Sequence, residues 1–92
     1  MGTESRTRST VRVTVRYFAA ARAAAGLEDE TIEVPAGTTL ADLVDKLTAR
    51  GAELATVLAR CSYLCDGVAV RDMNSALTNA QTVDVLPPFA GG

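Results

Sequence analysis

The last six residues, Pro87-Pro88-Phe89-Ala90-Gly91-Gly92, hold the one arrangement here whose chemistry no internal segment reproduces: a terminal carboxylate behind two glycines. Glycine lacks a Cβ and adopts any backbone conformation, so Gly91 and Gly92 can pass through a channel too narrow for a side chain. A carboxylate is ionised at neutral pH and is a poor electrophile, so group transfer from it requires activation, such as adenylation by ATP. Nothing in the chain supplies that activation. There is no G-x-x-x-x-G-K loop to cradle phosphates, and no glycine-rich turn opens a helix. Gly92 is therefore expected to be the reacting group and a separate protein the catalyst.

The remaining side chains offer little competing chemistry. The sequence has no histidine, which removes Cys-His pairs, Ser-His-Asp triads and the usual zinc constellations together. No metal site is expected. Cys61 and Cys65 are four residues apart; on one strand their Cα atoms would be separated by about 13 Å, beyond disulfide reach. They are read as strand residues acting as small buried hydrophobes, with nothing nearby to lower a thiol pKa.

Ninety-two residues make one domain. A hydrophobic content of 48% with only two Tyr and two Phe implies a core of Val, Leu and Ala, too small to enclose both a substrate cavity and a catalytic apparatus. The net charge of −2 divides unevenly, with +4 over residues 1–22 and −6 over residues 23–92. That surface does not fit nucleic acid. No signal peptide is expected, and no uncharged apolar run approaches the ~20 residues of a membrane span. A cytoplasmic protein without a membrane partner is the expectation.

The elements that must hold the tail follow from periodicity. Residues 1–9, polar and aperiodic, are expected to be a disordered extension. Val11, Val13, Val15 and Tyr17 alternate with polar residues as a half-buried strand does. Phe18 to Ala25 forms a short helix ended by Gly26. Glu28-Asp29-Glu30 reads as a solvated turn, followed by a strand over Thr31 to Val34 that Pro35 and Gly37 end. Thr39 and Asp42 form a capping box for the main helix, whose Leu40, Leu43, Val44 and Leu47 make one apolar stripe and which Gly51 closes. Leu54, Val57 and Leu58 keep helical spacing over 53–60. Two short strands, or a strand and a return, flank Asp66-Gly67, 74–80 is loop or a brief helical turn, and Thr82 to Leu86 is the last strand. The order describes an α+β domain over residues 10–86, a mixed sheet wrapped around one main helix as in the ubiquitin-like β-grasp. Residues 87–92 form an extended tail, because Pro87 and Pro88 cannot donate to a sheet ladder and favour a polyproline-like path. From Pro88 to Gly92 it reaches roughly 16 Å.

Over Val11 to Gly92 the chain resembles the small, sulfur-carrying subunit of molybdopterin synthase, within the wider group of bacterial β-grasp sulfur carriers. The likeness rests on Val15-Arg16-Tyr17-Phe18-Ala19 with Arg22 and Gly26, and on Leu86-Pro87-Pro88-Phe89-Ala90-Gly91-Gly92. The centre matches only in pattern, and residues 1–9 depart from the usual family start. Thiamine-pathway carriers also end in Gly-Gly but usually lack the Tyr-Phe-Ala opening and the double proline. The resemblance implies that an E1-like adenylating enzyme, using ATP and magnesium, activates Gly92, and that a sulfur donor protein converts it to a thiocarboxylate. The sulfur then attacks cyclic pyranopterin monophosphate inside the large subunit. The chain itself would bind no cofactor, and Pro87, Pro88, Phe89, Ala90 and Gly91 would be the partner-binding tail, with Phe89 either an exposed anchor or folded back on the sheet. A carrier for thiamine or cysteine synthesis, and a ubiquitin-like protein modifier, are the alternatives.

Overall fold

The structure is a computed structural model that describes residues 9–88. The extension assigned to residues 1–9 lies outside that range except for Ser9, whose carbonyl accepts a hydrogen bond from the Ala36 N–H at 3.0 Å.

The elements run β1 (Thr10–Tyr17), α1 (Ala19–Ala25), β2 (Asp29–Pro35), α2 (Leu40–Thr48), α3 (Ala52–Leu58), β3 (Ser62–Cys65), β4 (Val68–Ala69) and β5 (Gln81–Leu86). They form one five-stranded sheet in the order β2-β1-β5-β3-β4, with β1 and β5 parallel and every other pair antiparallel. Alternation in β1 works as the sequence implies: Val13, Val15 and Tyr17 are buried, and Arg12 and Arg16 face away. Leu40, Leu43 and Leu47 of α2 are buried against that apolar face, and Val44 packs at its margin. Each buried leucine contributes about 2 kcal/mol of hydrophobic stabilisation.

Local signals set most boundaries. The Thr39 Oγ1 accepts from the Asp42 N–H at 3.1 Å while the Asp42 carboxylate accepts from the Thr39 N–H at 3.2 Å, so the capping box closes both ways. Gly26, at φ +82°, ends α1 by donating to the Arg22 carbonyl. Asp66 and Gly67 both take positive φ, +50° and +83°, as a two-residue hairpin of the type I′ class requires. Prolines terminate two strands, β2 at Pro35 itself and β5 before Pro87.

Two expectations change. Gly51 does not close α2; the helix ends at Thr48, where the Thr48 hydroxyl donates to the Asp45 carbonyl and the Arg50 N–H bonds back to Leu47, tightening the last turn. Gly51 instead opens α3 in an extended conformation. Helices α1 and α3, where the sequence places helical spacing, lie on the same side of the sheet as α2 and bury Ala21, Leu54 and Leu58 in the shared core. Finally, only Cys65 is a strand residue. Cys61 precedes β3, both thiols are half-buried, and the Cys61 Sγ donates to the Val57 carbonyl at 3.2 Å.

The acidic triplet is the larger correction. Glu28 is exposed and lies 3.7 Å from Arg22, but Asp29 and Glu30 already belong to β2. Glu30 accepts from the buried Tyr17 hydroxyl at 2.6 Å and from two nitrogens of Arg50 at 2.6 and 3.1 Å. It thereby ties β1, β2 and the segment between α2 and α3 together. Burial alone would raise the Glu30 pKa, yet the bonds from Arg50 and Tyr17 outweigh it and hold the carboxyl below its ordinary 4.5. Burial, together with the Glu30 bond, drives the Tyr17 hydroxyl far upward, so it stays a neutral donor.

Two sets of stability measurements check this account. Leu43→Ala should cost about 3 kcal/mol in urea unfolding, whereas Thr39→Ala, losing only the cap, should cost about 1 kcal/mol; equal costs would mean that α2 is not held mainly by its buried stripe. Because the folded pKa of Glu30 lies below the unfolded one, its contribution is complete above the unfolded value and lost as pH falls through the folded value. Glu30→Gln should therefore be less stable than wild type at pH 7 and lose stability less steeply between about pH 5 and pH 2. Parallel acid limbs would contradict the coupling.

Candidate functional site

Strand β5 delivers the tail. It lies between β1 and β3, so its backbone is hydrogen-bonded on both sides, and Val83 and Val85 are buried beneath it. Tyr17 of β1 and Tyr63 of β3 both stand opposite Val85, Ser62 stands opposite Leu86, and the Phe18 N–H donates to the Val85 carbonyl at 3.3 Å. At its start, β5 is tied to the β3–β4 hairpin: the Asp66 N–H donates to the Thr82 carbonyl at 2.8 Å and the Asp66 carboxylate accepts from the Thr82 N–H at 2.9 Å. The ladder stops at Leu86. Pro87 is half-buried and Pro88 exposed, so the chain leaves the fold over these two residues. Phe89, Ala90, Gly91 and Gly92, the other expected site residues, lie outside the described residues.

Beside the exit stands a group that the sequence reading did not single out. Asp84 is the one buried polar or charged residue among the described residues, and it sits on the sheet face away from the helices. Arg16, directly opposite in the β1–β5 register, covers it with a two-pronged bridge, Nε to Oδ1 at 2.6 Å and Nη2 to Oδ2 at 2.9 Å. The hydrogen bond and charge of Asp84 hold the Arg16 guanidinium in its charged form, its pKa raised. The same guanidinium lies 5.6 Å from the centre of the Phe18 ring, within cation–π range. The sequence carried no signal for it, because a charge between two inward-facing valines is the ordinary pattern of a strand with one solvated face. The partner's identity was not legible, because Arg16 is 68 residues away.

Tyr17 and Phe18, neighbours in sequence, divide between roles. Tyr17 is buried, and Phe18 is half-buried at the exit. The thiols remain poor nucleophile candidates, since burial pushes both Cys61 and Cys65 above their ordinary range. A groove of about 530 Å³ between the helices and β3 contains Val44, Leu58, Cys61, Tyr63 and Met73. Its titratable groups are Cys61 and Tyr63; the Tyr63 hydroxyl, pushed up to about 12 mainly by burial, donates to the Leu58 carbonyl. Neither serves as a base near neutral pH. Among the described residues no cluster of three His, Cys, Asp or Glu side chains could hold a metal ion, and no helix is long and apolar enough to cross a membrane.

Comparison with known proteins agrees with this arrangement. The ThiS family pattern matches residues 15–92. The chain is similar to the molybdopterin synthase sulfur carrier subunit of Chlamydomonas reinhardtii, with 30% identity over 83 residues, which is 89% of this chain and all of that protein. Among solved structures, a protein assigned as subunit 1 of the molybdopterin converting factor of Pyrococcus furiosus superposes with a TM-score of 0.77 at 29% identity, covering 86% of this chain and 99% of its own. Small archaeal modifier protein 1 of Haloferax volcanii superposes with a TM-score of 0.76 at 21% identity, over 88% and 99% of the two chains, a likeness of fold. The mixed five-stranded sheet with its helices on one face is thus the α+β, ubiquitin-like β-grasp. With its pattern matched from residue 15 to residue 92, the chain belongs to the ThiS family.

Proposed function

We propose that this protein is the sulfur-carrier subunit of a molybdopterin synthase, with Gly92 as its terminal, reacting residue. The observation that carries the reading is the direct continuity between β5, paired with β1 through Val85 and with β3 through Leu86, and a Pro-Pro segment leading to two glycines. A tail rooted in the middle of a sheet holds a defined origin while the residues beyond it enter another protein. The similarity to a carrier subunit along that protein's whole length supports the same role.

In this reading the Gly92 carboxylate oxygen attacks the α-phosphorus of ATP on an E1-like enzyme, with magnesium there neutralising the phosphates, and pyrophosphate leaves. Sulfur from a persulfide on a donor protein then displaces AMP from the acyl carbon, and thiol cleavage of the sulfur–sulfur bond releases the thiocarboxylate. Inside the synthase large subunit, the thiocarboxylate sulfur attacks cyclic pyranopterin monophosphate, and hydrolysis of the resulting thioester leaves the sulfur on the pterin and returns Gly92 as a carboxylate. The carrier supplies a reactive atom and its placement. Pro87, Pro88, Phe89 and Ala90 supply contacts along the channel, and Gly91 keeps the passage clear of a Cβ. All of this takes place in the cytoplasm.

A ubiquitin-like modifier is the second reading, favoured by the fold it shares with the small archaeal modifier protein. The two diverge in product. Incubated with an activating enzyme, ATP and a sulfur donor, a carrier accumulates thiocarboxylate, and a modifier accumulates higher-mass conjugates through target lysines.

Deleting Gly92 should leave the complex with the large subunit within a few-fold of wild-type affinity and abolish single-turnover conversion of the pterin precursor. Gly91→Ala, chemically thiocarboxylated to bypass adenylation, should lose transfer, because a methyl forced into a filled passage costs about 1 to 3 kcal/mol. Phe89→Ala should mainly weaken association. Wild-type conversion by the protein lacking Gly92 would remove the terminal carboxylate from the mechanism. A further check concerns the thiols: replacing Cys61 and Cys65 by Ala should lower stability and leave transfer by the folded protein intact, whereas loss of transfer at unchanged stability would make a thiol a participant.

A further inference from the structure

An activated carboxyl terminus is an acylating agent, and few side chains of this protein can receive an acyl group from it. Of the nine basic residues Lys46 is the only lysine; the others are arginines, whose guanidinium stays protonated in proteins and is no nucleophile. Histidine is absent. The hydroxyls of Tyr17 and Tyr63 donate to the Glu30 carboxylate and the Leu58 carbonyl, and burial pushes both upward, so neither forms a phenolate near neutral pH. Cys61 and Cys65 are half-buried and raised in the same way. Serine and threonine hydroxyls are weak nucleophiles unless a base activates them. One side-chain amine is left.

The fold leaves that amine available. Lys46 is an exposed residue of α2, the helix whose Leu40, Leu43 and Leu47 are buried against the sheet. On a helix the groups best placed to engage it lie four residues away. Asp42, one turn before, has its carboxylate on the Thr39 N–H at 3.2 Å, and Arg50, one turn after, is bound to Glu30 at 2.6 and 3.1 Å. Among the described residues no ion pair includes Lys46. We propose that Lys46 is a modification site, the acceptor of an isopeptide bond from the activated Gly92 of a second copy of this chain. The site rests on the reading that Gly92 is adenylated, and it gives the modifier reading a specific product. The deprotonated ε-amine attacks the Gly92 acyl carbon, AMP leaves with the bonding electron pair, and the nitrogen gives up a proton to water. A second copy is required because the terminus is activated inside another protein, at the end of a tail stiffened by Pro87 and Pro88, and from there it does not bend back to its own α2. With one donor and one acceptor per chain, the conjugates are linear and every link runs from Gly92 to Lys46. Sulfur from the donor protein consumes the same adenylate, so sulfur loading and conjugation compete.

The test incubates the full chain with its activating enzyme, ATP and magnesium, without a sulfur donor. Pyrophosphate release reports activation, and intact mass with fragmentation reports the linkage. Wild type should give a ladder of conjugates, each step adding one chain less one water, with Gly92 joined to Lys46 in every link. K46R should match the wild-type burst of pyrophosphate and form no conjugate, and adding the sulfur donor should lower the wild-type ladder. A K46R donor mixed with an acceptor chain lacking Gly92 should stop at a conjugate of two chains. Activation without conjugates overturns the site. Conjugates that persist in K46R, which place the linkage on another group such as an α-amine, overturn it too, as does a cyclised single chain. Absence of pyrophosphate release defeats the adenylation reading instead, and the acceptor is then decided by the same outcomes with a synthetic C-terminal thioester of the chain.

Discussion

The parallel pairing of β1 with β5 is the constraint on which the placement of the residues after Leu86 depends. It joins Val13–Tyr17 to Gln81–Val85, so the first and last strands must meet before the tail has an origin. Closing a loop of that length costs about (3/2)RT ln n plus a constant, a few kcal/mol of entropy that local contacts do not repay. Repayment comes from elsewhere in the same core: Val13, Val15, Val83 and Val85 are buried together against the leucines of α2. The tail is therefore presented by the completed fold, and a partly folded chain has no defined place from which to present it.

Chemistry and scaffold are divided accordingly. The groups inside the fold are arranged to stay inert: the tyrosine hydroxyls and cysteine thiols are all pushed upward by burial, and Glu30 is held as an anion between Tyr17 and Arg50. A terminal carboxylate needs none of them. It needs a fixed origin, a stiff exit at Pro87 and Pro88, and a narrow end, and the sheet with its two prolines answers the first two.

What was legible in the sequence was local. The β1 alternation, the Thr39–Asp42 capping box, Gly26, the Asp66-Gly67 turn and the prolines after Leu86 each act within a few residues, and all function in the structure as their chemistry implies. What was not legible required a distant partner. Glu30 reads as one more charge in an acidic turn until Arg50, twenty residues on, is brought beside it. Asp84 reads as the polar residue of an alternating strand until Arg16 closes over it. Gly51 misled for a related reason: glycine both ends and opens helices, and the hydrogen bonds around Thr48 and Arg50 decided which.

The central claim concerns one atom at the C-terminus, and mass spectrometry of the intact protein, purified from cells actively making the pterin cofactor, addresses it most directly. The account predicts a fraction of molecules in which one oxygen is replaced by sulfur, localised by fragmentation to Gly92 and absent when the activating enzyme is deleted. A chain that stays entirely unmodified under those conditions, or whose added sulfur maps to Cys61 or Cys65, would contradict it.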